Sequence, residues 1–382
     1  MYEFSVPMPY SKENIDRLVL INKEVERSKI TSLYFSLPST NELFTGFEQT
    51  RNQLLHRTSF DFWKNLASHS IDNGFDVIYC LNMPRPLAIE TPKFPKQIEN
   101  LHRLLCEFSK IGINKLRVAS PKLMAYLHKY FPDFDIYGST ASDYKLIQEF
   151  QNLKLIHPYI KEIVPSHNVN KNFMLLKNIK KIGFEVEIMV NEGCLQGCSN
   201  RFEHECTYTD DNIELYTNNE FFQEDFCKNH CIRIERTNPI LYLTKGNHIY
   251  PWEIKEYSKI GINKFKLNGR DGIKENDNSQ NQFINIVELY LKGIDDIKTI
   301  ENVSIISFAS NSSSKKILSK LTVKNTKKYL PNIKHFVKKG HLCSSICTIK
   351  CKYCYNCSQK IEKIFEKYKQ ESLKKLIPIC IN

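Results

Sequence analysis

The chain contains an internal repeat, which we call the echo. In it a helical segment ends at a glycine, and a segment that alternates apolar with other residues follows directly. Residues 107–120 read EFSKIGINKLRVAS, and residues 256–269 read EYSKIGINKFKLNG. Weaker versions of the same pattern occur at residues 69–82 and 177–191. A glycine in the left-handed conformation commonly ends a helix, and a period of two is typical of a strand. Repeated helix–strand units therefore predict a parallel sheet surrounded by helices.

The same pattern, followed along the chain, predicts eight strands. They lie near residues 31–37, 76–82, 114–119, 134–138, 161–165, 184–190, 240–244 and 262–268. Eight strands that alternate with helices predict an α/β fold of the TIM-like (β/α)8 barrel type. An open doubly wound sheet is the alternative, although no glycine-rich phosphate fingerprint follows the first predicted strand.

Composition divides the chain into two parts and limits where it works. We predict a barrel over residues 1–300 and a basic, cysteine-rich helical tail over residues 301–382. The net charge of +12 favours an RNA partner or an anionic substrate, and a solvated lysine surface is the alternative. The sequence has neither an apolar run long enough for a membrane span nor a secretory signal pattern at residue 1. We therefore expect a cytoplasmic protein without a membrane partner.

Ten of the thirteen cysteines fall in two groups, and the first group occupies the loops predicted at 192–231. In a reducing compartment, clustered thiols favour metal binding over disulfides. Four thiolates suffice for a [4Fe–4S] cluster or a zinc ion, and the spacing does not decide between them. The candidate metal ligands of this group are Cys194, Cys198, Cys206, Cys227 and Cys231, with His204 and His230 as further possible ligands.

The second group of cysteines follows a basic run near residue 340. Its members, the candidate ligands of a second metal site, are Cys343, Cys347, Cys351, Cys354 and Cys357. Their close spacing suits a second [4Fe–4S] cluster or a zinc knuckle. Such a site would contact RNA or a protein partner, or would only staple a short tail together.

The segment VNEGCLQGCSNRFEH at 190–204 resembles a signature of the peptidase U32 (collagenase-like protease) family. Residues 250–270 and 111–144 resemble the family's last and early barrel regions, so that the resemblance covers roughly residues 1–300. The short CxxxC spacing departs from the better-known collagenase-like members and resembles a less-characterised branch. The resemblance implies a TIM-like barrel with a cysteine-ligated [4Fe–4S] cluster. By motif position, it assigns Cys194 and Cys198 as ligands.

For the remaining ligands of this cluster we choose Cys231 and then Cys206 over Cys227. Members of the family include proteins for oxygen-independent hydroxylation of ubiquinone precursors, transfer RNA or ribosomal RNA. The resemblance therefore implies a hydroxylase or other modifying enzyme that acts on RNA, a peptide or a small aromatic substrate, with an electron donor as a possible partner. A U32-type peptidase is one alternative, although the sequence has no GxSxG or HExxH motif. A non-enzymatic iron–sulfur or zinc protein for electron transfer or partner binding is the other.

Candidate catalytic residues lie at the ends of the last predicted strands, where barrel enzymes keep their active sites. Lys266 and Asn268 alternate with apolar neighbours and therefore share one face with Lys264. The echo places Lys115 and Arg117 at the equivalent positions. Lysine stems that cover apolar surface would give the same pattern.

Two charged residues complete the predicted catalytic set. Glu192 begins the loop after the strand at 184–190 and suits either acid–base chemistry or a role in holding the loop. Arg270 follows the last predicted strand, where its guanidinium could hold an anionic substrate through forked hydrogen bonds. Further cations of this region are Arg201, Arg233 and Arg236, for which a surface salt bridge is the alternative.

Overall fold

A closed barrel of eight parallel strands forms the centre of the protein. The computed structural model describes residues 1–38, 41–48, 59–84, 95–192, 196–198, 201–202, 205, 240, 243–244, 246–269, 277–308, 321–340 and 351–376. The strands are β1 (Tyr2–Pro7), β2 (Ser28–Phe35), β3 (Asp76–Leu81), β4 (Lys115–Val118), β5 (Asp135–Gly138), β6 (Glu162–Ile163), β7 (Glu185–Met189) and β8 (Lys264–Lys266). Because β1 pairs with both β2 and β8, the sheet closes on itself. The predicted TIM-like barrel is confirmed.

One predicted strand was wrong and one strand was missed. Ile240, Leu243 and Thr244 are helical, so the strand expected at 240–244 is absent from these positions. The eighth strand is β1 at the start of the chain. Its sequence, YEFSVP, follows no glycine-ended helix, and the repeated pattern therefore gave no signal for it.

Helices cover the barrel in the order that the sequence pattern predicts. They are α1 (Lys12–Glu24), α2 (Phe60–Asp72), α3 (Pro95–Lys110), α4 (Pro121–Tyr130), α5 (Ile147–Ile156), α6 (Phe173–Ile182), α7 (Ile254–Ser258) and α8 (Asp277–Asp295). Gly112 and Gly261, the glycines of the two strongest echoes, have φ angles of +83° and +78°. Both take the left-handed conformation that ends a helix before the next strand begins. No helix in the described part of the chain is long and apolar enough to cross a bilayer.

The described part of the tail packs onto the barrel. It contains α9 (Val323–Thr326), α10 (Ile333–Lys339) and α11 (Tyr353–Leu376). Phe336 of α10 and Ile361 of α11 are buried in the same apolar core as the barrel strands. The boundary that we place at residue 300 stays a prediction.

The two faces of the barrel wall differ in chemistry. Outward-facing side chains such as Phe4, Leu33 and Leu116 join the apolar core between strands and helices. Inside the barrel, a small separate cluster contains Tyr34, Ile78 and Cys80. Charged side chains from several strands also point inward, and they form the floor of the site described below.

Gly138→Ala should destabilise the barrel by about 1–3 kcal/mol, since overpacking a filled interior forces side chains to shift. A Cβ atom at Gly138 would lie 2.8 Å from Cγ1 of Ile163 on the neighbouring strand. Denaturant unfolding measures this loss. In an Ile163→Ala background the same change should cost clearly less, and an equal cost in both backgrounds would contradict the steric explanation.

Candidate active site

Arg117 lies at the centre of a buried ionic network inside the barrel. Its Nη2 atom is 3.0 Å from Oε1 of Glu162 and 2.9 Å from Oε2 of Glu187. Lys264 contacts the other oxygen of Glu162 at 2.7 Å, and the Ser5 hydroxyl donates a hydrogen bond of 2.5 Å to Glu187. Burial opposes the charged form of Glu162, but Arg117 and Lys264 lower the pKa of this carboxyl below its ordinary value. The network joins five strands and sets the floor of the site.

Lys266 and Asn268 lie above this floor, towards the carboxyl ends of the strands. The Lys266 ammonium is buried, 3.2 Å from the centre of the Tyr34 ring. The Tyr34 hydroxyl donates a hydrogen bond of 2.7 Å to the carbonyl of Leu267. Asn191 forms two hydrogen bonds of 2.6 Å with the backbone of Asn268, one as donor and one as acceptor. These bonds tie the ends of β7 and β8 together directly before Glu192.

A second cluster of charged groups covers the same end of the barrel. Glu192, Arg201 and Glu205 are all buried. Arg201 forms an ion pair of 2.6 Å with Glu205, one helical turn away, and lies 4.0 Å from Glu192. Two carboxylates thus surround one guanidinium where the loop after β7 begins.

His167 is fully buried beside this cluster, just after β6. Neither ring nitrogen has a hydrogen-bond partner among the described residues. Burial lowers its pKa to about 3, and the charge of Arg201 acts in the same direction. The charges of Glu192 and Glu205 act in the opposite direction and raise the pKa. The imidazole is therefore neutral at ordinary pH, with one bare nitrogen and one N–H.

A cavity of about 30 Å³ separates the floor from the charged cluster. This is room for about two water molecules. Its walls combine residues from most strand ends: Tyr34, Asn82, Arg117, Ser139, Thr140, Ala141, Val164, Met189, Glu192, Arg201, Glu205, Lys266 and Asn268. Of the predicted catalytic residues, Glu192, Lys266 and Asn268 are therefore brought together, and Arg270 lies outside the described residues.

Asn168 connects the cysteine-bearing loop to the barrel mouth. Its Oδ1 atom accepts a hydrogen bond of 2.8 Å from the N–H of Gly197, and its carbonyl accepts one of 2.8 Å from Gln196. Cys198 follows directly and is a half-buried free thiol. The turn of the CxxxC segment is thus held beside the loop that carries His167. The other first-group residues and nearby cations lie outside the described residues: Cys194, Cys206, Cys227, Cys231, His204, His230, Arg233 and Arg236.

Three cysteines of the second group are described. Cys351 lies just before α11, and Cys354 and Cys357 lie in its first turns. Cys343 and Cys347 lie outside the described residues. No three His, Cys, Asp or Glu side chains are placed to hold a metal ion in the part of the chain that is described. Both metal sites therefore stay predictions.

Several residues of this site had only weak signals in the sequence. His167 stands in the run PSHNVN directly after a predicted strand, and such polar residues at a strand end are the available clue. Glu205 follows Arg201 by four residues, the spacing of a helical ion pair. Glu162 and Glu187 alternate with apolar neighbours, but nothing in the sequence pairs them with Arg117.

Comparison with known proteins gives distant similarities. No family model matches the sequence. The chain is 22% identical over 262 residues to an uncharacterized protease, MJ1657, of Methanocaldococcus jannaschii, which covers 67% of this chain and 71% of that protein. The solved structure of the U32 peptidase Mk0906 has a TM-score of 0.44 and 12% identity, covering 70% of this chain and 93% of that chain. The structure of CpGH84B has a TM-score of 0.36 and 9% identity. The match covers 96% of this chain and 73% of that chain.

The closed barrel of eight parallel strands defines the fold, and these TM-scores add nothing to that assignment. The similarity to the archaeal protease, together with the resemblance carried by residues 190–204, supports a relationship to the U32 peptidase family. The described part of that motif lies at the barrel mouth.

Proposed function

We propose that this chain is an iron–sulfur-dependent enzyme whose active site is the barrel mouth. The relationship to U32 proteins points to an enzyme without distinguishing a peptidase from another activity. The observation that carries the proposal is the attachment of the Gln196–Gly197 turn to Asn168. This attachment holds the turn that directly precedes Cys198 against the loop that carries His167, whose ring nitrogens have no hydrogen-bond partner among the described residues.

The residues that would hold a [4Fe–4S] cluster are Cys194, Cys198, Cys206 and Cys231, with Cys227 as the alternative to Cys206. Cys198 fits this role because it is a free, half-buried thiol at the rim. Thiolates are the ligands that such clusters prefer. When bound, the cluster supplies electron transfer or an open iron position that acts as a Lewis acid.

The chain's own residues then position the substrate. His167, whose pKa is lowered to about 3, stays neutral and offers one hydrogen-bond donor and one acceptor. Lys266 and Arg201 line the cavity, and Arg270, chosen from its place in the sequence, would hold an anionic part of the substrate. Glu192 and Asn268 orient this polar wall. We favour oxygen-independent hydroxylation, or another modification, of RNA, a peptide or a small aromatic molecule.

A U32-type peptidase is the second candidate. The archaeal relative described as an uncharacterized protease favours it. Hydrolysis of casein that survives removal of iron would support the peptidase and contradict a cluster-dependent reaction.

Cys198→Ser should remove most of the iron from the barrel site of anaerobically purified protein. The parent should carry about four iron atoms there, and about eight per chain if the second group also holds a cluster. Iron, sulfide and zinc analysis with the visible spectrum measures this. Substitution of Cys106, a free and exposed cysteine in α3, by Ser is the matched control and should keep the iron. Zinc without iron, or full iron retention in Cys198→Ser, would contradict the proposal.

A further inference from the structure

A second, larger cavity lies outside the barrel wall, where the tail meets the last helices. Its volume is about 340 Å³, and none of its lining residues belongs to a strand or to the mouth cavity. It is bounded by the turn Pro251–Glu253, the turn Ile297–Ile300 and the tail segment 323–333. We call this cavity the tail groove.

Positive charge from three lysines converges on the tail groove. Lys324, Lys327 and Lys328 line it with exposed side chains, and none forms an ion pair within the described part of the chain. Partial burial and then the charge of Lys255 lower the pKa of Lys327. By contrast, Lys292 contacts two carboxylates at 2.6 and 3.0 Å. The groove therefore holds cationic charge that an anionic ligand would neutralise.

A flat aromatic ring lies beside these ammonium groups. Trp252 is half-buried and stacks on Tyr250 with a centroid distance of 4.8 Å and an angle of 6°. The Lys327 ammonium is 5.3 Å from the centre of the indole ring. Tyr250 does not line the cavity, so it supports the indole from behind while Lys327 shares the cavity with it. The groove thus presents an indole ring, stacked on Tyr250, next to exposed ammonium groups.

Two carboxylates also line the groove, Glu253 and Glu301, and the charge of Glu301 partly offsets that of Lys327. Glu253 is buried and accepts a hydrogen bond of 2.9 Å from the N–H of Tyr250. Burial raises its pKa to about 7, so it carries only part of a charge near neutral pH. Glu301 is half-buried and can accept hydrogen bonds from hydroxyl or amino groups of a ligand.

We propose that the tail groove binds a nucleoside phosphate, with the base on Trp252 and the phosphate among Lys324, Lys327 and Lys328. Base stacking on an aromatic side chain beside a cationic track is the chemistry of this recognition. The volume falls within the range of about 300–1,000 Å³ for small-molecule sites. The ligand is either a free nucleotide or one unit of a single nucleic-acid strand. The groove shares no lining residue with the mouth cavity, so binding at the groove can be measured separately from the proposed reaction.

The chain has two tryptophans, which makes a direct binding test possible. Trp63→Phe leaves Trp252 as the only tryptophan, and its fluorescence then reports ligand at the groove. Titration with AMP should give saturable quenching, while adenosine or inorganic phosphate alone should bind at least about tenfold more weakly. A ten-residue oligoadenylate that binds more than about tenfold tighter than AMP identifies a strand as the source, and similar affinity identifies the free nucleotide.

The groove variant is Lys324→Gln with Lys327→Gln and Lys328→Gln, which should weaken AMP binding at least about tenfold. The matched control changes three exposed lysines elsewhere, Lys12, Lys129 and Lys161, to Gln and should keep the parent affinity. Equal weakening in both variants, no saturable binding of AMP or oligoadenylate, or equal binding of polyglutamate would overturn the proposal. Calorimetric titration of the parent chain gives the same readout if Trp63→Phe, whose site is buried, fails to fold.

Discussion

Arg117→Met should lower the free energy of unfolding by about 3–5 kcal/mol, the usual cost of removing one partner from a buried ion pair. The guanidinium is 1% exposed and contacts both Glu162 and Glu187. Methionine fills similar space but leaves two buried carboxylates without their principal countercharge. Denaturant unfolding of parent and variant, under reducing conditions, measures the loss.

Lys115→Met is the matched control, because Lys115 lies two residues earlier on the same strand and faces the same side. Its ion pair with Asp76 has partly exposed side chains, with Asp76 55% exposed. Such a pair contributes about 0–1 kcal/mol, and the control should lose no more than that. A loss below 1 kcal/mol for Arg117→Met would contradict a stabilising role for the network.

The pH dependence of the Arg117→Met deficit gives an independent check of its cause. Arg117 and Lys264 lower the folded pKa of Glu162, against the effect of burial. Such a carboxyl contributes stability above its unfolded pKa, about 4.3, and that stability is lost as pH falls through the folded pKa. The deficit of the variant should therefore be largest near neutral pH and shrink below about pH 4. A deficit that stays constant would indicate lost packing instead.

The network around Arg117 also shows what the sequence could and could not predict. Alternation along the strand at 114–119 placed Lys115 and Arg117 on one face, and the echo placed Lys264 and Lys266 on the equivalent face. Their common direction into the barrel agrees with the structure. Glu162 lies 45 residues from Arg117, and only closure of the barrel brings the two together. Contacts across a closed sheet depend on strand number and register, which local patterns do not contain.

The candidate site was predictable to a similar extent. A position at strand ends predicted Glu192, Lys266 and Asn268, and these residues do line one cavity. His167 was missed because a single histidine in a short loop has no periodic signal. Its importance rests on burial and on missing hydrogen-bond partners within the described residues, and both are properties of the folded chain. The cysteine clusters were evident from spacing alone, but spacing does not specify the metal.

Acidification should destabilise the folded chain between about pH 6.5 and pH 3, and His167 should cause a large part of this loss. Burial lowers the pKa of His167 from its ordinary value of 6.5 to about 3, and Arg201 acts in the same direction. In this window the unfolded chain binds a proton that the folded chain does not bind. The free energy of unfolding therefore falls as pH falls. At about 1.4 kcal/mol for each unit of pKa difference, the loss is on the order of 4–5 kcal/mol by pH 3.

Measured unfolding free energies at pH 7, 6, 5 and 4 separate this titration from a packing effect. His167→Gln keeps a polar side chain of similar size without a titrating group. The slope of its unfolding free energy against pH should be smaller than that of the parent by about 1.4 kcal/mol per pH unit below pH 6. Val169→Ala, at a buried neighbour, should lower stability through a cavity by a similar amount at every pH. His248 is a second source of acid dependence, because burial and then the charge of Lys171 lower its pKa to about 4. The unfolding free energy of His167→Gln should therefore still fall with pH, but less than that of the parent. Parallel slopes in the parent and His167→Gln would show that the imidazole binds its proton alike in the folded and unfolded chains, and His167 could then no longer be the neutral imidazole that we place beside the barrel mouth.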